Sequence, residues 1–440
     1  MKYRFIFLSI LIFSSFASIK AQKVYGLTDC IEAGLERNFS ILVAKNTETI
    51  AKNNYSVGNA GYLPTLGLSG RYSGTLNNTT QNLVDGSQNI TTGTHNTTAN
   101  SGINLAWTIF DGFNVQTTYK KLDELKQLGA LSTQLVVENL IADIVSAYYN
   151  YILRTELQKN MEYAMVLSKE RLRIDEQRYL LGSNSILQVL QSRVYLNADS
   201  SKLSRQLEVV RAAQIRLNEL MAAEDLGTQF ISKDSSIMVN QILLYEKLIE
   251  ETKAKNTSLL IASKNKVVSA HDYKLIASRT YPYLSFSSGY SYNLNTYSSG
   301  TNKNQITNGM NYGLNLGLNL FDGFNQKRSL NNSTIELQNK ELKYLEIEQG
   351  IKADLVTIYH VYSNNLRLIK LEEQNLQTAA ENLDIALERY KLGSLSGIDL
   401  REVQKSLLDA KESLLSIQYQ TKLAEISLLL ISGNIMQYYN

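Results

Sequence analysis

Two acids, Asp399 and Glu402, stand three residues apart, and on a helix that spacing puts both carboxylates on one face. Their chemistry is electrostatic: clustered negative charge attracts cations, repels anions and resists full ionisation. Three histidines, His95, His271 and His360, fall in a polar tract, a short amphipathic stretch and a long helical stretch. No metal spacing or nucleophile motif adjoins them, so neither catalysis nor a bound metal or other cofactor is expected. Cys30 is the only cysteine, so no disulfide closes within the chain. It reads as a small buried helix residue and not as a lipid anchor, because Asp29 precedes it where a lipoprotein signal needs a small side chain. Two further runs, Arg178-Tyr179-Leu180-Leu181-Gly182-Ser183 and Arg389-Tyr390-Lys391-Leu392-Gly393-Ser394, offer a helix-ending glycine with a cation beside the helix C-terminus.

Those two runs are 211 residues apart, and the same offset relates Phe110-Asp111-Gly112-Phe113 to Phe321-Asp322-Gly323-Phe324. The chain is therefore a two-fold internal repeat. Its only prolines, Pro64 and Pro282, pair at an offset of 218, which puts a seven-residue difference between each proline and the following FDGF. Such length freedom belongs to an exposed loop. Leu314, Leu316, Leu318 and Leu320 alternate with Gly313, Asn315, Gly317 and Asn319, as Ile103, Leu105, Trp107 and Ile109 alternate with Gly102, Asn104, Ala106 and Thr108. That period of two predicts strands with one apolar and one polar face. A partner strand starts at each proline, which makes two hairpins, at about 62–112 and 281–322. The Asn, Thr, Ser and Gly tracts 77–99 and 297–308 carry no period and are expected to be long loops.

The remainder reads as helix. The stretches 114–180 and 325–391 keep apolar residues at spacings of three and four with no proline, and at 1.5 Å per residue each is about 100 Å long. Shorter helices are expected over 28–57, 186–222, 241–277 and 397–432. The domain organisation is then a first repeat over 22–222, an equatorial linker over 223–240 and a second repeat over 241–440.

Residues 1–21 have a cationic start and an apolar run from Phe5 to Phe16 that is too short to span a bilayer, the pattern of a signal peptide cut after Ala21, with Ala17 as the alternative. Its removal takes away Lys2, Arg4 and Lys20 and no acid, lowering the formal charge from +3 to 0. A nucleic-acid partner therefore has no electrostatic footprint. No later apolar run of about 18 residues is found, so a spanning segment would have to be a β-barrel. Four strands cannot close one alone, because single-chain barrels begin at about eight strands. Two copies would give eight strands and three would give twelve. An eight-stranded interior is packed with side chains, whereas the inward residues here are Gly, Ser, Asn and Thr, which suits a wider, water-filled trimer with lipid against the leucine face. A soluble sheet fails, because long helices leave no second layer to cover those leucines.

The chain resembles the TolC-like outer-membrane efflux proteins. The resemblance rests on Leu27-Thr28 with Cys30-Ile31-Glu32-Ala33 and Asn38, on the two FDGF strand exits and on the two Arg-Tyr-x-Leu-Gly-Ser turns. It implies a mixed α and β membrane protein: a homotrimer with a twelve-stranded outer-membrane barrel and a periplasmic α-barrel. The implied partners are a periplasmic adaptor and an inner-membrane transporter. The implied function is that of a passive exit duct of a tripartite efflux pump or type I secretion system. The turn residues Arg178, Leu181, Gly182, Ser183, Arg389, Leu392, Gly393 and Ser394 would form the periplasmic tip that the adaptor grips, unless they serve only as helix caps. Asp399 and Glu402 would face the lumen and gather six carboxylates in a trimer, unless Asp399 is only an N-terminal helix acid. Leu187, Gln188 and Leu395 depart from the family's polar and arginine lock, so the constriction is expected to depend on helix packing and on polar contacts of Tyr390. The alternative function is a periplasmic coiled-coil adaptor or scaffold with no barrel.

Overall fold

The computed structural model describes residues 23–240 and 242–439; the expected signal peptide lies outside the described residues. In chain order the elements are β1 (Lys23–Tyr25), α1 (Leu27–Arg37), α2 (Phe39–Asn54), α3 (Val57–Ala60), β2 (Thr65–Asn82), β3 (Gln88–Asp111), α4 (Asn114–Leu180) and α5 (Ile186–Leu220). There follow β4 (Phe230–Ser232), α6 (Tyr245–Lys255), α7 (Thr257–Ser278), β5 (Tyr283–Thr296), β6 (Asn304–Gly317), α8 (Asn325–Lys391), α9 (Gly397–Ile431) and a 3-10 turn, Ile435–Tyr438. The long helices match in length: α4 and α8 have 67 residues each, α5 and α9 have 35 each. The described residues divide into two compact units, one made of those up to Lys45 with Ser132–Leu260 and those from Ile347 onward, the other of Asn46–Leu131 and Ile261–Glu346.

The second unit holds an antiparallel sheet of order β2-β3-β5-β6. Its register puts Leu66 opposite Leu105, Leu68 opposite Ile103, Ile103 opposite Tyr290, Phe286 opposite Leu314 and Leu284 opposite Leu316. One face thus gathers the large apolar side chains, interrupted by residues such as Ser101 and Ser288, yet Leu68 is 83% exposed and Leu316 75% exposed. The other face is a ladder of small amides and hydroxyls, in which Asn100 Nδ2 donates to Asn293 Oδ1 and Thr98 Oγ1 donates to Asn295 Oδ1 at 2.9 Å. The tracts expected as loops are shorter than the sequence suggests. The first hairpin turns only over 83–87, because Thr79–Asn82 and Gln88–Thr91 continue the backbone ladder beyond a bulge at Asn77/Thr79. Threonine suits a strand whichever face it takes, so the ladder persists where side-chain alternation has ceased. In the second hairpin, β6 already begins at Asn304 and ends at Gly317, so Leu318 and Leu320, expected to continue the strand, lie beyond it.

Each FDGF is the hinge from strand to long helix. Gly112 and Phe113 have φ of 69° and 70°, and Gly323 and Phe324 have 69° and 64°, two consecutive left-handed residues in both repeats. The phenylalanines pack edge to face, with centroids 5.3 Å apart in the first hinge and 5.4 Å in the second. Asp111 Oδ1 accepts from Val115 N at 3.2 Å and Asp322 Oδ2 accepts from Gln326 N at 2.7 Å, capping orphan donors of the helix start. The two glycines differ in their surroundings. A Cβ on Gly112 would collide with the Ser278 carbonyl oxygen, while one on Gly323 would meet nothing nearer than 3.8 Å. Gly323→Ala should therefore cost about 1–2 kcal/mol, the left-handed penalty alone. Gly112→Ala should cost clearly more and lower the folded yield. Thermal melting of the two detergent-purified variants decides it, and equal losses would contradict the contact with Ser278.

The first unit is helical. Its main core gathers Cys30 and Ile31 of α1, Ile141, Ile144, Val145, Tyr148 and Ile152 of α4, Leu217 of α5, Phe230 of β4 and Ile426 of α9. By length and composition α4 is apolar enough to cross a membrane, which the sequence reading excluded. These residues show why it is so apolar: Ile141, Ile144, Val145 and Tyr148 are wholly buried in this core. Cys30 is wholly buried as well, and burial, aided by Asp29, pushes its thiol up to about 12. Where single helices were expected over 28–57 and 241–277, the chain breaks at Asn38 and Asn256, both with extended backbone. Asn38 Nδ2 donates to Leu220 O at 3.0 Å while its Oδ1 accepts from Ser40 N; Asn256 Nδ2 donates to Ile431 O at 2.8 Å while its Oδ1 accepts from Leu259 N. Each asparagine satisfies the last carbonyl of a 35-residue helix and starts the next helix. The linker is fastened by buried Glu425, which accepts from Asn240 N at 2.8 Å, Lys422 Nζ at 2.9 Å and Tyr438 Oη at 2.8 Å.

Candidate functional site

Both Arg-Tyr-x-Leu-Gly-Ser turns close in the same way. Gly182 (φ 71°) and Gly393 (φ 80°) take the left-handed conformation. Gly182 N donates to Tyr179 O at 3.0 Å and Ser183 N to Arg178 O at 2.9 Å; Gly393 N donates to Tyr390 O at 3.0 Å and Ser394 N to Arg389 O at 2.9 Å. These are paired C-terminal helix caps of the Schellman type. They leave Leu181 and Leu392 more than four-fifths exposed at the outermost point of each turn.

The two arginines are not equivalent. Arg178 reaches across to the second turn, donating to Tyr390 O and, at 3.3 Å, to Lys391 O, with its guanidinium 4.9 Å from the Tyr390 ring centroid. Arg389 is exposed. Tyr390 is 2% exposed and packs with Leu167, Leu383, Leu400 and Leu407. Its hydroxyl donates to Asp175 Oδ1, and burial, reinforced by that bond, raises its pKa well above the ordinary tyrosine range. Asp175 is itself buried, and also accepts from Asn184 Nδ2 at 3.1 Å and from the Ser192 hydroxyl. A cleft of about 770 Å³ opens beside this hub, bordered by Arg178, Tyr390, Lys391, Gly393 and Ser394.

A second buried centre lies farther along the helices. Asp199 accepts from Nη1 and Nη2 of Arg401 at 2.7 Å each and from Ser168 Oγ at 2.5 Å. Burial alone would raise this carboxyl, but the bonds from Arg401 and Ser168 and the Arg401 charge outweigh it and hold it below the usual range. The Tyr195 ring lies between Arg401 (5.2 Å) and Arg171 (4.5 Å). Arg171 is 2% exposed, with Nε and Nη2 lacking hydrogen-bond partners among the described residues, and burial followed by the Arg401 charge lowers its pKa.

Sequence reading missed Arg171, Asp175 and Asp199. The repeat contained a signal for them: at the 211-residue offset they face Asn382, Ala386 and Ala410, so a charge in one copy meets a small or neutral residue in the other. Asp399 and Glu402 are both exposed at the start of α9. Ser396 caps this helix, its Oγ accepting from Asp399 N at 3.1 Å and donating to Asp399 Oδ2 at 2.7 Å. Among the described residues no cluster of three or more metal-ligating side chains occurs.

A family profile described as outer membrane efflux protein matches residues 30–223 and 248–434. The chain belongs to that family. As a member of the outer membrane efflux family it has its place in the outer membrane. Outer membrane protein TolC of Vibrio cholerae is 24% identical over 174 residues, a stretch covering 40% of this chain and 38% of that protein's own length. The Campylobacter jejuni CmeC outer membrane channel has the same fold, with a TM-score of 0.75 at 15% identity over 93% of this chain and 85% of the other. The outer membrane protein VceC of Vibrio cholerae gives 0.73 at 16% identity over 92% and 96%.

Proposed function

We propose that three copies of this efflux-family chain share one twelve-stranded barrel and form the passive exit duct of a tripartite efflux pump or a type I secretion system. The observation that carries this is the sheet. Its order leaves β2 and β6 as edges among the described residues, and its leucine face is open. An edge in hydrocarbon leaves unpaired backbone groups that cost several kcal/mol each, so further copies must pair with both edges. A coiled-coil scaffold has no use for such a sheet. The turns of Arg178 to Ser183 and Arg389 to Ser394 form the end that a periplasmic adaptor grips, with exposed Leu181 and Leu392 as its apolar contacts and an inner-membrane transporter beyond. Tyr390 holds this end closed through Asp175 and through packing. Cross-linking of the detergent-purified protein should give a trimer; a water-soluble monomer would overturn the reading.

Asp399 and Glu402 supply six lumenal carboxylates in this assembly. Their joint replacement by alanine should lower cation preference in planar bilayers by about two- to fivefold, and unchanged selectivity would remove them from the constriction.

A further inference from the structure

The four strands are almost free of charge. Apart from Asp111, which ends β3 and caps α4, Arg71 is the one Lys, Arg, Asp or Glu within β2, β3, β5 and β6. It lies on the amide and hydroxyl face: Ser69 and Ser73 precede and follow it on that face, and Asn100 stands directly opposite. The diagonal positions are Gly102 and Thr98, too small to cover a guanidinium, and Arg71 is exposed. No carboxylate pairs with it among the described residues. On the lipid face an arginine costs about 2–4 kcal/mol near the bilayer midplane, so the placement of Arg71 also says which face meets water.

We propose that Arg71 is the charge-selecting residue of the barrel lumen: one guanidinium from each copy, at a common level, forms a cationic ring that favours small anions over cations in the membrane-spanning part of the duct. The inference rests on the shared-barrel reading above. A charge on a lumen wall concentrates counter-ions over a Debye length, about 30 Å at 0.01 M salt and 3 Å at 1 M. The selectivity should accordingly be large in dilute electrolyte and vanish in concentrated electrolyte.

The test is the zero-current potential of single channels under a KCl gradient, taken in the Asp399→Ala/Glu402→Ala background so that those acids do not mask the barrel. Arg71→Gln should lower the chloride-to-potassium permeability ratio about two- to fivefold in dilute salt, and Arg71→Glu should invert it, with little difference at 1 M. Arg71→Lys should preserve the ratio. A conducting Arg71→Glu channel with an unaltered ratio in dilute salt overturns the ring, whereas absence of any conductance from the parent protein tells against the shared barrel instead. A second measurement does not depend on selectivity. With Cys30 wholly buried, Arg71→Cys should react with a water-soluble, membrane-impermeant thiol reagent in liposomes, while Tyr72→Cys on the other face should not; the reverse pattern also overturns the proposal.

Discussion

Asp199→Ala should lower the melting temperature of the detergent-purified protein more than any single surface change, on the order of 5 °C or more. The carboxylate removed is buried and bonded to Nη1 and Nη2 of Arg401 and to Ser168. Deleting one partner of such a pair costs about 3–5 kcal/mol, because the other charge is left without compensation. Here the orphaned Arg401 would share the Tyr195 ring with Arg171, which already has two unpartnered nitrogens. Two cations would then share one ring, with Asp175, on the Arg171 side, the carboxylate that still acts on that pair. Removing both charges, as in Asp199→Leu with Arg401→Met, should restore much of the loss, since apolar replacement of a whole buried pair is often neutral. If the double variant melts no higher than Asp199→Ala, uncompensated charge is not the cause. The pH dependence has a definite sign. The folded pKa of Asp199 lies below its unfolded value, so its contribution is full above about pH 4 and is lost as pH falls through the folded pKa. Asp199→Asn should therefore flatten the acid limb of the melting curve.

Asp175→Ala should loosen the turn end locally without a comparable loss of global stability. Three donors, Tyr390 Oη, Asn184 Nδ2 and Ser192 Oγ, converge on that one carboxylate. Bonds to a charged acceptor contribute about 1.5–3 kcal/mol each and are not additive. Net loss of about 1.4–3 kcal/mol is a 10- to 100-fold rise in the open population of the turns. Trypsin reports it directly, because Arg178, Arg389 and Lys391 lie in or beside the two turns, and cleavage tracks the open fraction when reclosing is fast. Asp175→Asn keeps the shape and part of the bonding and should be milder; Tyr390→Phe should be intermediate, keeping the ring packing and losing the hydroxyl. Cleavage unchanged in Asp175→Ala would show that packing around Leu383 and Leu400 alone keeps the turns ordered.

What the sequence reveals here follows the range of the forces involved. Alternation at Leu314 and Leu316 and at Ile103 to Ile109 is a local consequence of strand geometry, although the same period at Leu318 and Leu320 runs past the end of β6, and the FDGF and Arg-Tyr-x-Leu-Gly-Ser runs encode left-handed residues that only a few types tolerate well. Those features could be read before any fold was known. The extension of the first hairpin through Asn82 and Gln88 could not, because Thr and Asn on both faces erase the period while the backbone ladder continues. The breaks at Asn38 and Asn256 depend on the carbonyls of Leu220 and Ile431, more than 170 residues away. The buried centres at Asp175 and Asp199 likewise draw donors from the other repeat, Tyr390 and Arg401. Equivalence between repeats pointed to the shared turn residues, whereas the interactions that join the repeats arise where the copies differ.

The hairpins themselves are unequal: β2 and β3 have 18 and 24 residues, β5 and β6 have 14 each, and the taller pair turns over 83–87 with Val84 fully exposed at its crest. In a three-fold assembly the outer rim would be crenellated, three merlons standing above three embrasures. A large molecule approaching such a rim would touch residues 83–87 first and find the shorter hairpin comparatively sheltered.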